Sequence, residues 1–235
     1  TSELGLEELI LRAMTGRTDA LAPTEPATET STPLAAGTGW LLGDPGHYDR
    51  EFCVDLTQLR GFLAATQPGL LDALALETDG PTRRAFLSRV QGDITKRGIV
   101  DVLRKGIKHQ AHDLDLFYAT PSPGNTQAAE LFAKNRFSVT RQLRYSNDET
   151  QLALDLCLFV NGLPVATFEL KNNLTKQTVG YAVEQYRRDR DERERLFEFG
   201  RCLAHFAVDD QRVEFCTHLR GKASWFLPFD KGWQY

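Results

Sequence analysis

One aspartate inside an apolar run, and a glutamate and lysine two places apart at the end of the next, are the residues whose types and spacing suit chemistry. The stretch 152–171 reads LALDLCLFVNGLPVATFELK and contains Asp155, Glu169 and Lys171. Two β-rich runs flank Asn161-Gly162, a dipeptide that favours a tight hairpin because both residues tolerate positive φ. Aspartate is depleted in strand interiors, and a buried carboxylate is costly unless it is paired or binds a metal. For any one of these residues, a salt bridge on an exposed strand face is the simpler explanation. Two carboxylates and an ammonium drawn together instead suit a hard divalent cation held by oxygens, with a lysine beside it.

Side chains alternate along a strand, so Glu169 and Lys171 share a face. After a plain two-residue turn, Asp155 falls on the opposite face. The chemical reading therefore requires a loop of odd length, or a bulge that shifts the register by one.

An aspartate followed, after about a dozen residues, by Glu-x-Lys at a strand end resembles the PD-(D/E)XK nuclease motif. The surrounding text strengthens the likeness: YDREF at 48–52, ATQPGLLDAL at 65–74, RQLRYS at 141–146, AVEQYRRDRD at 182–191 and LPFDKGW at 227–233. Together these resemble the amino-terminal nuclease region of the restriction (motor) subunit of type I restriction–modification enzymes. The resemblance implies an α/β fold of the α+β type: a restriction-endonuclease-like core, with a mixed central sheet flanked by helices and an N-terminal helical subdomain. It implies Mg²⁺-dependent hydrolysis of double-stranded DNA, with Asp155, Glu169 and the Leu170 backbone carbonyl as metal ligands and Lys171 as a catalytic residue that orients or deprotonates the water or neutralises the phosphorane. It also suggests Glu7 as an extra acid from the first helix, the alternative being a solvent-facing helix carboxylate. Gln185 is favoured for the helical glutamine–tyrosine element, with Tyr186 mostly packing. The usual element spaces these two types by three residues, as Gln177 and Tyr181 do outside the matching segment.

Arg141 and Arg144 are placed to reach a phosphate, or to pair with the acids at 148–149. The implied partners are duplex DNA and the modification and specificity subunits, and ATP would be used only by a motor domain outside these residues. Nothing resembles a base-reading motif, which fits cleavage without sequence preference. The rival readings are a catalytically idle DNA-guiding or subunit-docking module, and a stand-alone nuclease of the same superfamily.

The chain has 235 residues and a net charge of −4, which does not advertise a nucleic-acid binder. Basic residues are nevertheless local, with five Lys/Arg at 94–108 and four at 134–144; a solvated helix face explains either as well as DNA does. No run approaches the ~20 apolar residues of a membrane span, and the first residues lack the order of a signal peptide. Cys53, Cys157, Cys202 and Cys216 form no C-x-x-C and read as buried thiols of a reducing cytoplasm. There is no G-x-x-x-x-G-K-[ST] loop. His109 and His112 lack further ligands at metal spacing.

Periodicity predicts a first helix within 1–16, a Thr/Ala/Pro-rich loop or linker over 17–39 and a mainly helical region over 40–135. A nuclease core at 136–222 and an exit segment at 223–235 follow. Within the core the expected order is a strand at 137–145, the hairpin, one long helix over 178–199, and strands at 202–208 and 213–219. The charged run 187–195 reads as the solvated face of that helix.

Overall fold

The computed structural model describes residues 3–17, 39–148, 151–172 and 177–229. The linker proposed at 17–39 lies almost wholly outside them. In chain order the elements are α1 (Glu3–Thr15), β1 (Leu41–Leu42), β2 (Tyr48–Asp49), β3 (Val54–Asp55), α2 (Leu56–Thr66), α3 (Leu71–Leu74), α4 (Pro81–Arg97) and α5 (Ile99–Lys105). Then come β4 (Ile107–His109), β5 (His112–Leu114), α6 (Thr126–Phe132), β6 (Phe137–Arg144), β7 (Ala153–Val160) and β8 (Leu163–Leu170). The chain continues through α7 (Val179–Arg188), β9 (Ala204–Val208), β10 (Val213–Cys216) and β11 (Leu227–Pro228). Among the described residues, seven strands form the central sheet in the order β1-β6-β7-β8-β9-β10-β11. The sheet is mixed: β1/β6 and β8/β9 are parallel, and the other neighbours run antiparallel. With helices against both faces, this is the restriction-endonuclease-like α+β arrangement the sequence implied.

Helix α1 lays Leu6, Ile10, Leu11 and Met14 on one face of the sheet, over Val139, Leu156, Leu170 and Val208. Helix α7 supplies the β8-to-β9 crossover that parallel pairing requires, and covers the other face with Val179, Ala182, Val183 and Tyr186. A separate apolar cluster joins α2, α4 and α5 to Leu163 and Val165 of β8, so the helical region is built onto the hairpin. Asp55 caps α2 by accepting the Gln58 N–H at 3.0 Å. The helix ends before Pro68, since the residue preceding proline is driven out of the α region.

The hairpin turn is two residues long, with Asn161 at φ 50° and Gly162 at φ 82°. A Cβ on Gly162 would lie 2.4 Å from the Asp55 carbonyl oxygen and 2.6 Å from the Leu59 nitrogen, so only glycine fits. Asn161 is fully buried; its side chain accepts the Arg136 N–H at 2.6 Å and donates to the Leu116 carbonyl at 2.9 Å. The turn is thereby stitched to the helical region.

Three expectations change. The long helix proposed over 178–199 stops at Arg188, and residues 195–197 make only a 3₁₀ turn. The strands at 202–208 and 213–219 shorten to Ala204–Val208 and Val213–Cys216. The charged run is not wholly a solvated face, because Arg190 is buried. All four cysteines are buried and unbridged.

Candidate active site

A bulge shifts the β7/β8 register by one residue between the turn and the acids. Leu158 pairs with Ala166 but Phe159 pairs with Pro164, leaving Val165 as the extra residue on β8. Pro164 has no N–H to give, and prolines inside sheets concentrate at such irregularities. Continuing the shifted register past Leu156 and Phe168, the last rung, sets Asp155 opposite Glu169. There β7 and β8 part, and Asp155 Oδ2 accepts the Leu170 N–H at 2.7 Å, replacing a backbone partner with a carboxylate.

Strand β6 changes face at the same level. Val139 packs in the α1 layer, and Arg141 meets Glu7 of α1, whereas Leu143 and Tyr145 join the α7 layer. On β7, Leu156 belongs to the α1 layer and Leu154 to the other. Simple alternation would keep each of these sets on one side. Gln142, at φ 47°, is the pivot on β6; a non-glycine residue there is strained by about 1–3 kcal/mol, and such strain gathers at functional sites. Its amide Nε2 donates to Glu7 Oε2 at 2.9 Å and to Asp155 Oδ1 at 3.4 Å. Two helical layers thus reach one point: Glu7 arrives from α1, and Arg190 from the segment after α7.

Glu169 is fully buried, and its Oε1 accepts from Arg190 Nε at 2.6 Å. Its Oε2 is buried with no hydrogen-bond partner. Burial pushes the Glu169 carboxyl up to about 7; the Arg190 and Lys171 charges pull it down, and Asp155 pushes it further up. Burial likewise raises Glu7, opposed by the Gln142 hydrogen bond and the Arg141 charge and reinforced by Asp155. Glu7 Oε1, 3.9 Å from Arg141 Nε, is also buried without a hydrogen bond. Lys171 stands half-buried one residue past β8, where its N–H donates to the Val208 carbonyl at 2.8 Å.

The remaining sequence candidates are more dispersed. Tyr186 is fully buried, and its hydroxyl pairs with Thr167 Oγ1 at 2.8 Å and with none of the carboxylates. Thr167 Oγ1 also lies 2.8 Å from His205 Nδ1, making a buried polar chain on the Glu169 face. Gln185 is half-buried on α7, and its side chain makes no hydrogen bond among the described residues. Arg144 is exposed on β6. His109 packs edge-on against Phe86. A cavity of about 320 Å³, lined by Arg89, Arg97, Lys105, Lys108, Asp113 and Asp115 among others, shares no residue with the acid cluster.

The family model of the type I restriction enzyme R protein N terminus matches residues 101–224. The chain belongs to this family. No curated protein matches the sequence. The matched span of this R-protein N terminus contains Gln142, Asp155, Glu169, Lys171, Gln185 and Arg190, and leaves Glu7 outside. No helix among the described residues is long and apolar enough to cross a membrane.

Residue-by-residue reading missed two participants. Gln142 was masked by the even alternation of β6. Arg190 was absorbed into a charge run, although it lies four places after Tyr186 and extends the buried stripe of Val179, Val183 and Tyr186.

Among the described residues, no three His, Cys, Asp or Glu side chains gather at metal-ligand spacing. Magnesium, however, uses one or two carboxylates and keeps several waters. Asp155, together with the buried unpartnered Oε2 of Glu169, fits that lean all-oxygen demand.

Proposed function

We propose that this domain is an Mg²⁺-dependent endonuclease that hydrolyses phosphodiester bonds of double-stranded DNA without sequence preference of its own. The observation that supports it most is the bulge at Val165: continued past the Leu156–Phe168 rung, the shifted register turns Asp155 toward Glu169, whose carboxyl also feels the Lys171 charge. Asp155, Glu169 Oε2 and the Leu170 carbonyl are the residues we assign to hold Mg²⁺. Bound there, the ion neutralises phosphate charge and acidifies water. Lys171 adds a positive charge near Glu169 and steadies negative charge developing at the phosphorus. Gln142 holds Glu7 and Asp155 together, so the acids stay gathered despite their repulsion. Arg141 and Arg144 lie along β6, where a phosphate backbone can reach them. Target choice would come from the modification and specificity subunits of the restriction complex, and ATP would serve a motor domain.

One observation favours a catalytically idle docking module: Glu169 already has a cation in Arg190. Nicking of supercoiled plasmid in Mg²⁺, wild type against Lys171→Ala, separates the two readings. The nuclease reading expects a loss of about 10²–10³-fold in rate with the fold intact. Equal nicking by both proteins, or none by either, favours the docking module.

A further inference from the structure

Asp155 and Glu169 each have one oxygen already engaged by the protein. Glu169 gives Oε1 to Arg190 Nε at 2.6 Å, and Asp155 gives Oδ2 to the Leu170 N–H at 2.7 Å. Their other oxygens differ: Glu169 Oε2 has no hydrogen-bond partner, and Asp155 Oδ1 has a weak 3.4 Å contact with Gln142. Arg190 is itself firmly placed. Its Nη2 donates to the Ala153 carbonyl at 2.7 Å and its Nη1 to the Tyr145 hydroxyl at 3.3 Å, and its guanidinium carbon lies 5.5 Å from the Tyr145 ring centre. The side chain is 4% exposed. The guanidinium therefore acts as a fixed stop against which Glu169 is held.

Resting on the metal-site reading above, we propose that Arg190 is a positioning residue that limits Glu169 to a single ligating oxygen and so tunes the site toward small six-coordinate cations and against calcium. The physical reason is ligand number. Magnesium and manganese suit a near-octahedral shell, to which each carboxylate gives one oxygen and water the rest. Calcium gathers about six to eight oxygens and often takes two from one carboxylate. With Oε1 held by Arg190, that two-oxygen grip is closed to Glu169. Buried ion pairs are weak stabilisers compared with well-packed apolar residues, so stability alone is a poor account of an arginine in this place. A constraint on how Glu169 presents its oxygens accounts for it.

The test is calorimetric titration of the metal-free full chain with Mn²⁺ and with Ca²⁺, for wild type, Arg190→Met and Arg190→Lys, alongside melting curves. Removing a positive charge strengthens binding of both cations, so the ratio of the two dissociation constants decides. In Arg190→Met the ratio is expected to move toward Ca²⁺ by about 10-fold or more, the scale seen when groups that orient metal ligands are changed. Arg190→Lys should move it less, because an ammonium keeps the charge but lacks the planar fork that spans Glu169 and Ala153. A ratio unchanged in folded variants that still bind overturns the proposal and leaves Arg190 a purely structural ion. If Arg190→Met loses its cooperative melt, Arg190→Lys decides by the same criterion. Failure of the wild type to bind either cation refutes the metal-site reading itself, and this inference with it.

Discussion

Replacing His205 with asparagine should flatten the acid side of the stability curve. His205 is buried on β9, with Nδ1 2.8 Å from Thr167 Oγ1 and its ring near those of Tyr186 and Phe197. Burial alone pushes its pKa down from 6.5 to about 3. From about pH 3 to 6.5 the imidazole is therefore neutral in the folded protein and protonated in the unfolded chain. Between these values the unfolded state binds the extra proton, so stability falls as the pH drops and is fully present only above about 6.5. At about 1.4 kcal/mol per pH unit, the whole gap corresponds to a ceiling of about 5 kcal/mol, of which about 3 kcal/mol falls between pH 6.5 and roughly 4. With a urea m-value of about 2–3 kcal/mol/M, the midpoint should move by roughly 1 M over that range. Asparagine can offer Thr167 an oxygen near the Nδ1 position but does not titrate. His205→Asn will lower stability at every pH through lost packing, so the slope is the informative quantity. Urea midpoints of both proteins at several pH values give it directly. Parallel slopes would refute the reasoning and would mean that His205 finds a partner or solvent when protonated.

Two further outcomes follow from the site and its support. Gly162→Ala places a methyl against the backbone of Asp55 and Leu59, at a φ of 82°. It should cost about 2–4 kcal/mol by urea denaturation, and a change within about 0.5 kcal/mol would show that the turn can relax. On the proposed nuclease reading, DNA affinity should be equal for unrelated duplexes and fall about 10-fold or more between roughly 50 and 200 mM salt, because phosphates would supply the contacts. A flat salt dependence in a filter-binding or anisotropy titration would contradict this.

Much of the fold was readable from local chemistry. The Asn161-Gly162 turn, the apolar stripe of α1, the proline break after α2 and the strands flanking the turn all depend on neighbours within a few residues. The site was half readable. Asp155, Glu169 and Lys171 stood out because ionisable residues in apolar runs need a reason. Alternation alone, however, put Asp155 and Glu169 on opposite faces. The correction lies in a single extra residue beside Pro164, and a proline inside a strand run was its available signal. The charged run after α7 misled because i, i+4 pairs describe a solvated helix equally well whether or not it continues.

What the sequence by itself determined is the set of groups: the acids, the lysine, the hairpin and the family to which the chain belongs. Those depend on residue identity and short-range spacing, which one dimension records in full. Only the tertiary structure decided that Gln142, on a left-handed backbone, joins Glu7 from α1 to Asp155, and that Arg190 from beyond α7 pairs with Glu169. These are contacts between residues from 13 to 135 positions apart. They arise because two layers close on a sheet whose strands part at one point, and parting strands leave no periodic trace in the chain.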